Sequence, residues 1–150
     1  MERKYVTVHG IVQGVGFRPF VYNEAIRNNL KGWVKNTSEG VYIDLEGEKI
    51  GVENFLITLK NSPPPLSKIE EITIEDKSIK GYKGFTIEKS NEICNSITLI
   101  SPDMAICKDC ESDIKDSNNR RYRYPFTNCT NCGPRYSIIK KLPYDRAMTT

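Results

Sequence analysis

The first 93 residues of this chain contain no cysteine, and His9 is the only histidine among all 150. A catalytic thiol is therefore excluded from the first part, and no Ser–His–Asp pattern can be read there. No apolar run approaches the roughly 20 residues that a membrane-spanning helix needs. The charged start Met1-Glu2-Arg3-Lys4 runs straight into alternating residues, so no apolar segment of the secretory type is read. Neither sign of charge is in excess: 22 Lys and Arg face 19 Asp and Glu, a net +3. That balance gives no argument for a nucleic acid or a membrane as partner. All five cysteines fall from Cys94 onward. An odd number without a secretory signal argues against a disulfide framework, and the expected compartment is the reducing cytoplasm.

What is present up to Ser90 is regular periodicity. Residues Lys4–Val12 alternate as a strand, with Val6, Val8 and Val12 on one face and Tyr5, Thr7, His9 and Ile11 on the other. Phe17, Phe20, Val21, Ala25, Ile26 and Leu30 then form a helical stripe, with Asn23, Glu24, Arg27 and Asn28 opposite and a helix end at Asn28-Asn29. Gly32–Asn36 reads as a second strand and Thr37–Gly40 as a turn. In a third strand Val41, Ile43 and Leu45 alternate with Tyr42, Asp44 and Glu46. Val52, Phe55, Leu56 and Leu59 place an amphipathic helix over Lys49–Asn61, which Pro63-Pro64-Pro65 stops. A strand around Ile72 and Ile74 and a short one at Phe85–Glu88 follow. The order β-α-β-β-α-β plus one extra strand predicts an α+β fold, a ferredoxin-like split βαβ sandwich. Periodicity stops around Ser90–Ile93, so two units are expected: 1–90, and a small module over 91–150 that needs a staple.

The staple is legible. Cys107-x2-Cys110 is followed after 18 residues by Cys129-x2-Cys132. Two such pairs supply four sulfurs for a tetrahedral zinc ion, with no open position and hence a structural role. Asn128, Asn131 and Gly133 permit the tight turn that the second pair needs. Cys94 is left over and reads as a free thiol. Arg120–Phe126 interleaves cations with aromatics, a pattern that suits single strands. The negative charge of a four-thiolate zinc offsets those cations, however, so a face around a metal module or a docking surface for another domain is expected instead of nucleic acid.

The stretch Gly10–Phe20 joins strand to helix through Gly14 and Gly16. Backbone N–H groups of such a turn, with a helix N-terminus, make an anion cradle; here Gln13, Gly14, Val15, Gly16, Phe17 and Arg18 form it. Arg18 adds a planar fork that can grip phosphate oxygens. With no nucleophile and no strong acid at hand, a reaction at this cradle must need neither. Acyl phosphates qualify, because their carboxylate leaving group departs without a proton. Binding the phosphoryl group and placing a water then suffices, and Asn36, at the end of the second strand, is a candidate to orient that water. The same Asn36-Thr37-Ser38 run is also an ordinary turn, and His9 reads as structural.

Gly10-x-Val12-Gln13-Gly14-Val15-Gly16-Phe17-Arg18, together with Gly32-Trp33-Val34-x-Asn36 and Gly40, resembles the acylphosphatase family over about residues 4–89. The resemblance implies that Arg18 and the loop amides bind the substrate phosphate and that Asn36 positions the attacking water. The second part, with Arg121-Tyr122-Arg123-Tyr124-Pro125-Phe126-x-Asn128-Cys129-x2-Cys132-Gly133-Pro134-Arg135 and Leu142-Pro143-Tyr144-Asp145-Arg146, resembles the HypF family, carbamoyltransferases of nickel–iron hydrogenase maturation. That resemblance implies carbamoyl phosphate as substrate. It also implies further domains that adenylate carbamate with ATP and pass it to a partner protein's C-terminal cysteine, toward a cyanide ligand of the hydrogenase iron. The family's second pair of zinc motifs, nucleotide-binding domain and transferase domain are absent from these 150 residues, so an N-terminal fragment of a larger enzyme is expected. Whether the four cysteines share one zinc or pair with absent motifs is left open. The competing readings are a stand-alone acylphosphatase with a structural zinc module, and a non-catalytic anion- or RNA-binding zinc protein.

Overall fold

The computed structural model describes residues 1–90, 105–133 and 139–140. Its elements are β1 (Glu2–Ile11), α1 (Phe17–Arg27), β2 (Lys31–Thr37), β3 (Gly40–Gly47), α2 (Lys49–Asn61), β4 (Lys68–Lys77), β5 (Phe85–Ile87) and α3 (Lys108–Lys115). The strands form one sheet in the order β4-β1-β3-β2-β5. β1 and β2 flank β3, both antiparallel to it, so they run parallel to each other with a strand between them, the split βαβ arrangement expected above. The added β5 pairs in parallel with the far edge of β2.

The core is aliphatic. Val6, Val8, Val34, Ile43 and Leu45 from the sheet meet Phe17, Val21 and Ala25 of α1 and Val52, Phe55 and Leu59 of α2, all fully or almost fully buried. α2 spans the predicted residues, with Ser62 as its C-terminal cap. α1 ends at Asn28-Asn29 as expected; Asn29 takes the left-handed conformation at φ 55° that stops a helix.

Two expectations are corrected. Ile26, placed on the buried stripe of α1, is 49% exposed, whereas Glu24, placed opposite, is buried and pairs with Arg27 at 2.5 Å. Something other than the sheet therefore covers the Glu24 side of α1. Asp44 and Glu46, which alternate with the apolar residues of β3, are buried as well, so both faces of that strand are covered there. The 78–82 segment folds over that face. Glu46 accepts N–H bonds from Lys80 at 2.9 Å, Gly81 at 3.2 Å and Tyr82, while Asp44 accepts from Arg3 and from the Tyr82 hydroxyl at 2.9 Å. The second correction lies beyond Ser90, where only short turns were read and α3 is found. Cys94 and the motif residues Pro134, Arg135 and Leu142–Arg146 lie outside the described residues, and the expected boundary after Ser90 falls at their edge. Among the described residues, no helix is long and apolar enough to cross a membrane.

Candidate phosphate site and metal centre

The register places Asn36 at the end of the sheet where β1 leads into the glycine loop. Val8 of β1 pairs with Val41 of β3, and Val41 pairs on its other side with Asn36 of β2. β1 slips register between His9 and Gly10, then releases the loop that leads into α1. Gly14 (φ 72°) and Gly16 (φ 76°) turn that loop left-handed, and Gly16 is the N-terminal cap of α1. A glycine cap has no side chain to accept the first-turn N–H groups, and no acidic residue lies in that turn. Pro19, at the third position of the helix, contributes no N–H. The first turn of α1 thus has neither a side-chain cap nor an acidic residue at its N-terminus. Arg18, on the first turn, is half-buried.

Gln13 does something the sequence did not indicate. Its side chain is buried, and Nε2 donates to Thr37 O at 2.6 Å and to Gly40 O at 3.1 Å. The amide ties the glycine loop to the β2–β3 turn, directly beside Asn36. Asn36, Thr37 and Ser38 are all buried, and Thr37 Oγ1 accepts from Glu39 N at 3.2 Å, bracing the same turn. His9 Nδ1 donates to Glu39 O at 2.6 Å, the structural role expected of it. The residues missed by sequence reasoning are therefore positioning groups, Gln13 in this role and Thr37. A buried amide preceding a glycine turn carries no periodic signal.

The four cysteines converge. Cys107 is the N-terminal cap of α3 and Cys110 lies in its first turn; Cys129–Gly133 forms a second tight turn, closed by Gly133 N donating to Cys129 O at 2.8 Å. The sulfurs of Cys107 and Cys129 are 3.6 Å apart, those of Cys110 and Cys132 3.7 Å, those of Cys129 and Cys132 3.8 Å, and all four lie within 4.8 Å of one another. A tetrahedral ion with metal–sulfur bonds near 2.3 Å requires sulfur separations of about 3.8 Å, so the donor set fits. The backbone N–H of Cys110 holds the Cys107 thiol down at about 7, whereas burial pushes the Cys110 thiol up. Around the cluster, Arg121 pairs with Asp113 at 2.9 Å, and Tyr122, Tyr124 and Phe126 stand exposed.

The finger and the glycine loop touch. A Cβ added to Gly133 (φ 64°) would run into Gly14 O, and one added to Gly16 would run into Thr130 O. A cleft of about 340 Å³ opens along this seam, between Glu24 and Arg27 of α1, Pro64-Pro65, and Thr130 and Asn131. Glu24 lines this cleft.

The split βαβ sandwich is the fold of the acylphosphatase of Bacillus subtilis. The Acylphosphatase family model matches residues 4–87 and the HypF finger model residues 106–139. The chain belongs to the acylphosphatase family, joined to a HypF finger as in the HypF carbamoyltransferases. It is 54% identical over 143 residues to a probable carbamoyltransferase HypF of Methanocaldococcus jannaschii, covering 94% of this chain and 19% of that protein. A crystal structure of full-length HypF in the phosphate- and nucleotide-bound form superimposes with a TM-score of 0.89 at 52% identity, covering 99% of this chain and 20% of that one. The acylphosphatase of Bacillus subtilis matches at a TM-score of 0.56 and 40% identity, covering 59% of this chain and 99% of that one. The chain thus spans about a fifth of the length of the HypF relatives it matches.

Proposed function

We propose that the Gln13–Arg18 loop binds the phosphoryl group of an acyl phosphate and that Asn36 orients the water that hydrolyses it. The observation that carries this reading is the Gln13 clamp, which fixes the glycine cradle against the turn that follows Asn36. Backbone N–H groups of the loop and the start of α1 surround the phosphoryl oxygens, and the Arg18 guanidinium supplies a permanent positive charge beside them. Water, accepted by the Asn36 amide, attacks phosphorus. The bond from phosphorus to the acyl oxygen breaks, and the electron pair leaves with the carboxylate. A carboxylate leaving group has a pKa near 4, so no general acid is needed, and the water proton passes to solvent or phosphate.

Carbamoyl phosphate is the substrate proposed, because the chain matches HypF carbamoyltransferases over nearly its whole length. The carbamate released would then serve the ATP-dependent adenylation and transfer to a partner's C-terminal cysteine implied by that likeness, steps assigned to chain segments outside these residues. The four cysteines would hold one zinc, which supplies a cross-link between α3 and the second turn and no open coordination position.

The test is hydrolysis of three phosphates by the 150-residue chain. Carbamoyl and benzoyl phosphate should turn over. Phenyl phosphate, whose phenoxide has a pKa near 10 and leaves poorly without a proton, should not. Turnover of all three would contradict a site without a general acid. Benzoyl phosphate hydrolysed with carbamoyl phosphate untouched would favour a general acylphosphatase, as the Bacillus subtilis match suggests.

A further inference from the structure

The second cysteine turn is packed against the phosphate loop itself. The Gly133 backbone lies against Gly14 O and Thr130 O lies against Gly16, with no room for a Cβ at either Gly133 or Gly16. Gly14 and Gly16 are the two left-handed residues that shape the cradle, and Gly133, at φ 64°, immediately follows the ligand Cys132. Both contacts are backbone against backbone, with no flexible side chain to absorb a shift. The loop therefore has a wall on one side, the Thr130–Gly133 turn, and a tether on the other, the Gln13 amide on Thr37 and Gly40.

The two turns differ in what holds them. The tether is a pair of hydrogen bonds within the sheet domain. The wall is a short turn held by Gly133 N on Cys129 O, by the backbone N–H groups of Asn131 and Cys132 on the Cys129 sulfur, and by the clustering of the four sulfurs. A turn of this kind depends on its ion for its geometry.

We infer that Thr130 and Gly133 are positioning residues of the phosphate cradle, so that metal in the four-cysteine site and phosphate in the Gly14–Arg18 loop each strengthen the binding of the other. This inference rests on the phosphate-binding role proposed for the loop. With the ion bound, the four sulfurs would fix the turn, and through it the backbone that lies against Gly14 and Gly16. Linkage requires the effect to be reciprocal and equal in both directions.

The test uses the full chain and inorganic phosphate as the probe. Phosphate affinity is measured calorimetrically with the chain zinc-loaded and after chelation, and zinc affinity is measured by competition with and without saturating phosphate. Chelation should weaken phosphate by about fivefold or more, and phosphate should tighten zinc by the same factor. Gly133→Ala should keep one zinc per chain and lose phosphate affinity to a similar extent. If that variant fails to hold zinc, the two wild-type measurements decide alone. Arg18→Ala separates the two ideas. Phosphate binding that is indifferent to Arg18 overturns the role of the loop. Arg18-dependent binding that ignores zinc, with zinc affinity unmoved by phosphate, overturns the coupling and leaves the role of the loop standing.

Discussion

Gln13 Nε2 lies 2.6 Å from Thr37 O, so a side chain from the glycine loop reaches across to the residue that follows Asn36. This one amide joins the part of the site that would bind phosphate to the part that would place water. Sequence separation between the two is 24 residues, and the closeness comes from β1 and β2 flanking β3 in register.

Replacing Gln13 with alanine leaves two buried carbonyls, Thr37 O and Gly40 O, without that donor. The expected cost is about 1–3 kcal/mol of stability, read as a lower urea midpoint at unchanged slope. Gln13→Glu should be worse, because it turns a carboxylate toward the same carbonyls. Both variants should weaken acyl-phosphate binding more than Thr86→Ala on β5, a substitution at an exposed position away from the loop.

Stability should fall in acid because of Glu46. Burial alone would raise its pKa from the ordinary 4.5, but N–H bonds from Lys80, Gly81 and Tyr82, with the Arg3 charge, outweigh burial and leave it lowered. A lowered folded-state pKa means that the unfolded chain binds the proton first. The contribution of Glu46 is thus complete above about 4.5 and is lost as pH falls from there through the folded value. Denaturation midpoints between pH 6 and 3 should show this slope, and Glu46→Gln should flatten it while lowering stability at pH 6.

Removing the metal should loosen the finger and spare the sheet. Cys110 and Cys132 are buried in the cluster, so Cys110→Ser or Cys132→Ser should drop bound zinc from one ion per chain to none. Hydrogen exchange should then rise across 105–133, while amides of β1 and β3 in the sheet centre keep their protection. Loss of protection throughout the sheet would show that the sandwich depends on the finger for its fold.

The sandwich was legible because its elements are periodic. The i, i+3, i+4, i+7 spacing of Val52, Phe55, Leu56 and Leu59 gave α2 its bounds, and Val6, Val8, Ile43 and Leu45 marked the buried sheet face. The burial of Asp44 and Glu46 was not legible for a physical reason: alternation says which way a residue points, and a long-range segment, 78–82, decides whether water reaches it. Glu24 misled in the same way: it lines a cleft whose other walls, Pro64-Pro65 and Thr130-Asn131, come from far along the chain. Cysteine spacing marked the ligands but not α3, whose eight residues carry too few apolar positions for a stripe. The glycine loop and Asn36 stood out as chemistry, whereas the Gln13 clamp between them depends on tertiary register alone.

The central claim is that Arg18 binds the phosphoryl group and Asn36 orients water, and steady-state phosphate release from carbamoyl phosphate tests it most directly. Arg18→Ala should raise KM and lower kcat/KM by on the order of 10²–10³-fold or more, as expected for removing a charged contact to the transferring group. Asn36→Ala should lower kcat by a comparable factor with KM nearly unchanged, and inorganic phosphate should still bind that variant. Both chains should keep the wild-type unfolding free energy to within about 1–2 kcal/mol. Wild-type turnover in folded Arg18→Ala and Asn36→Ala chains would contradict the account.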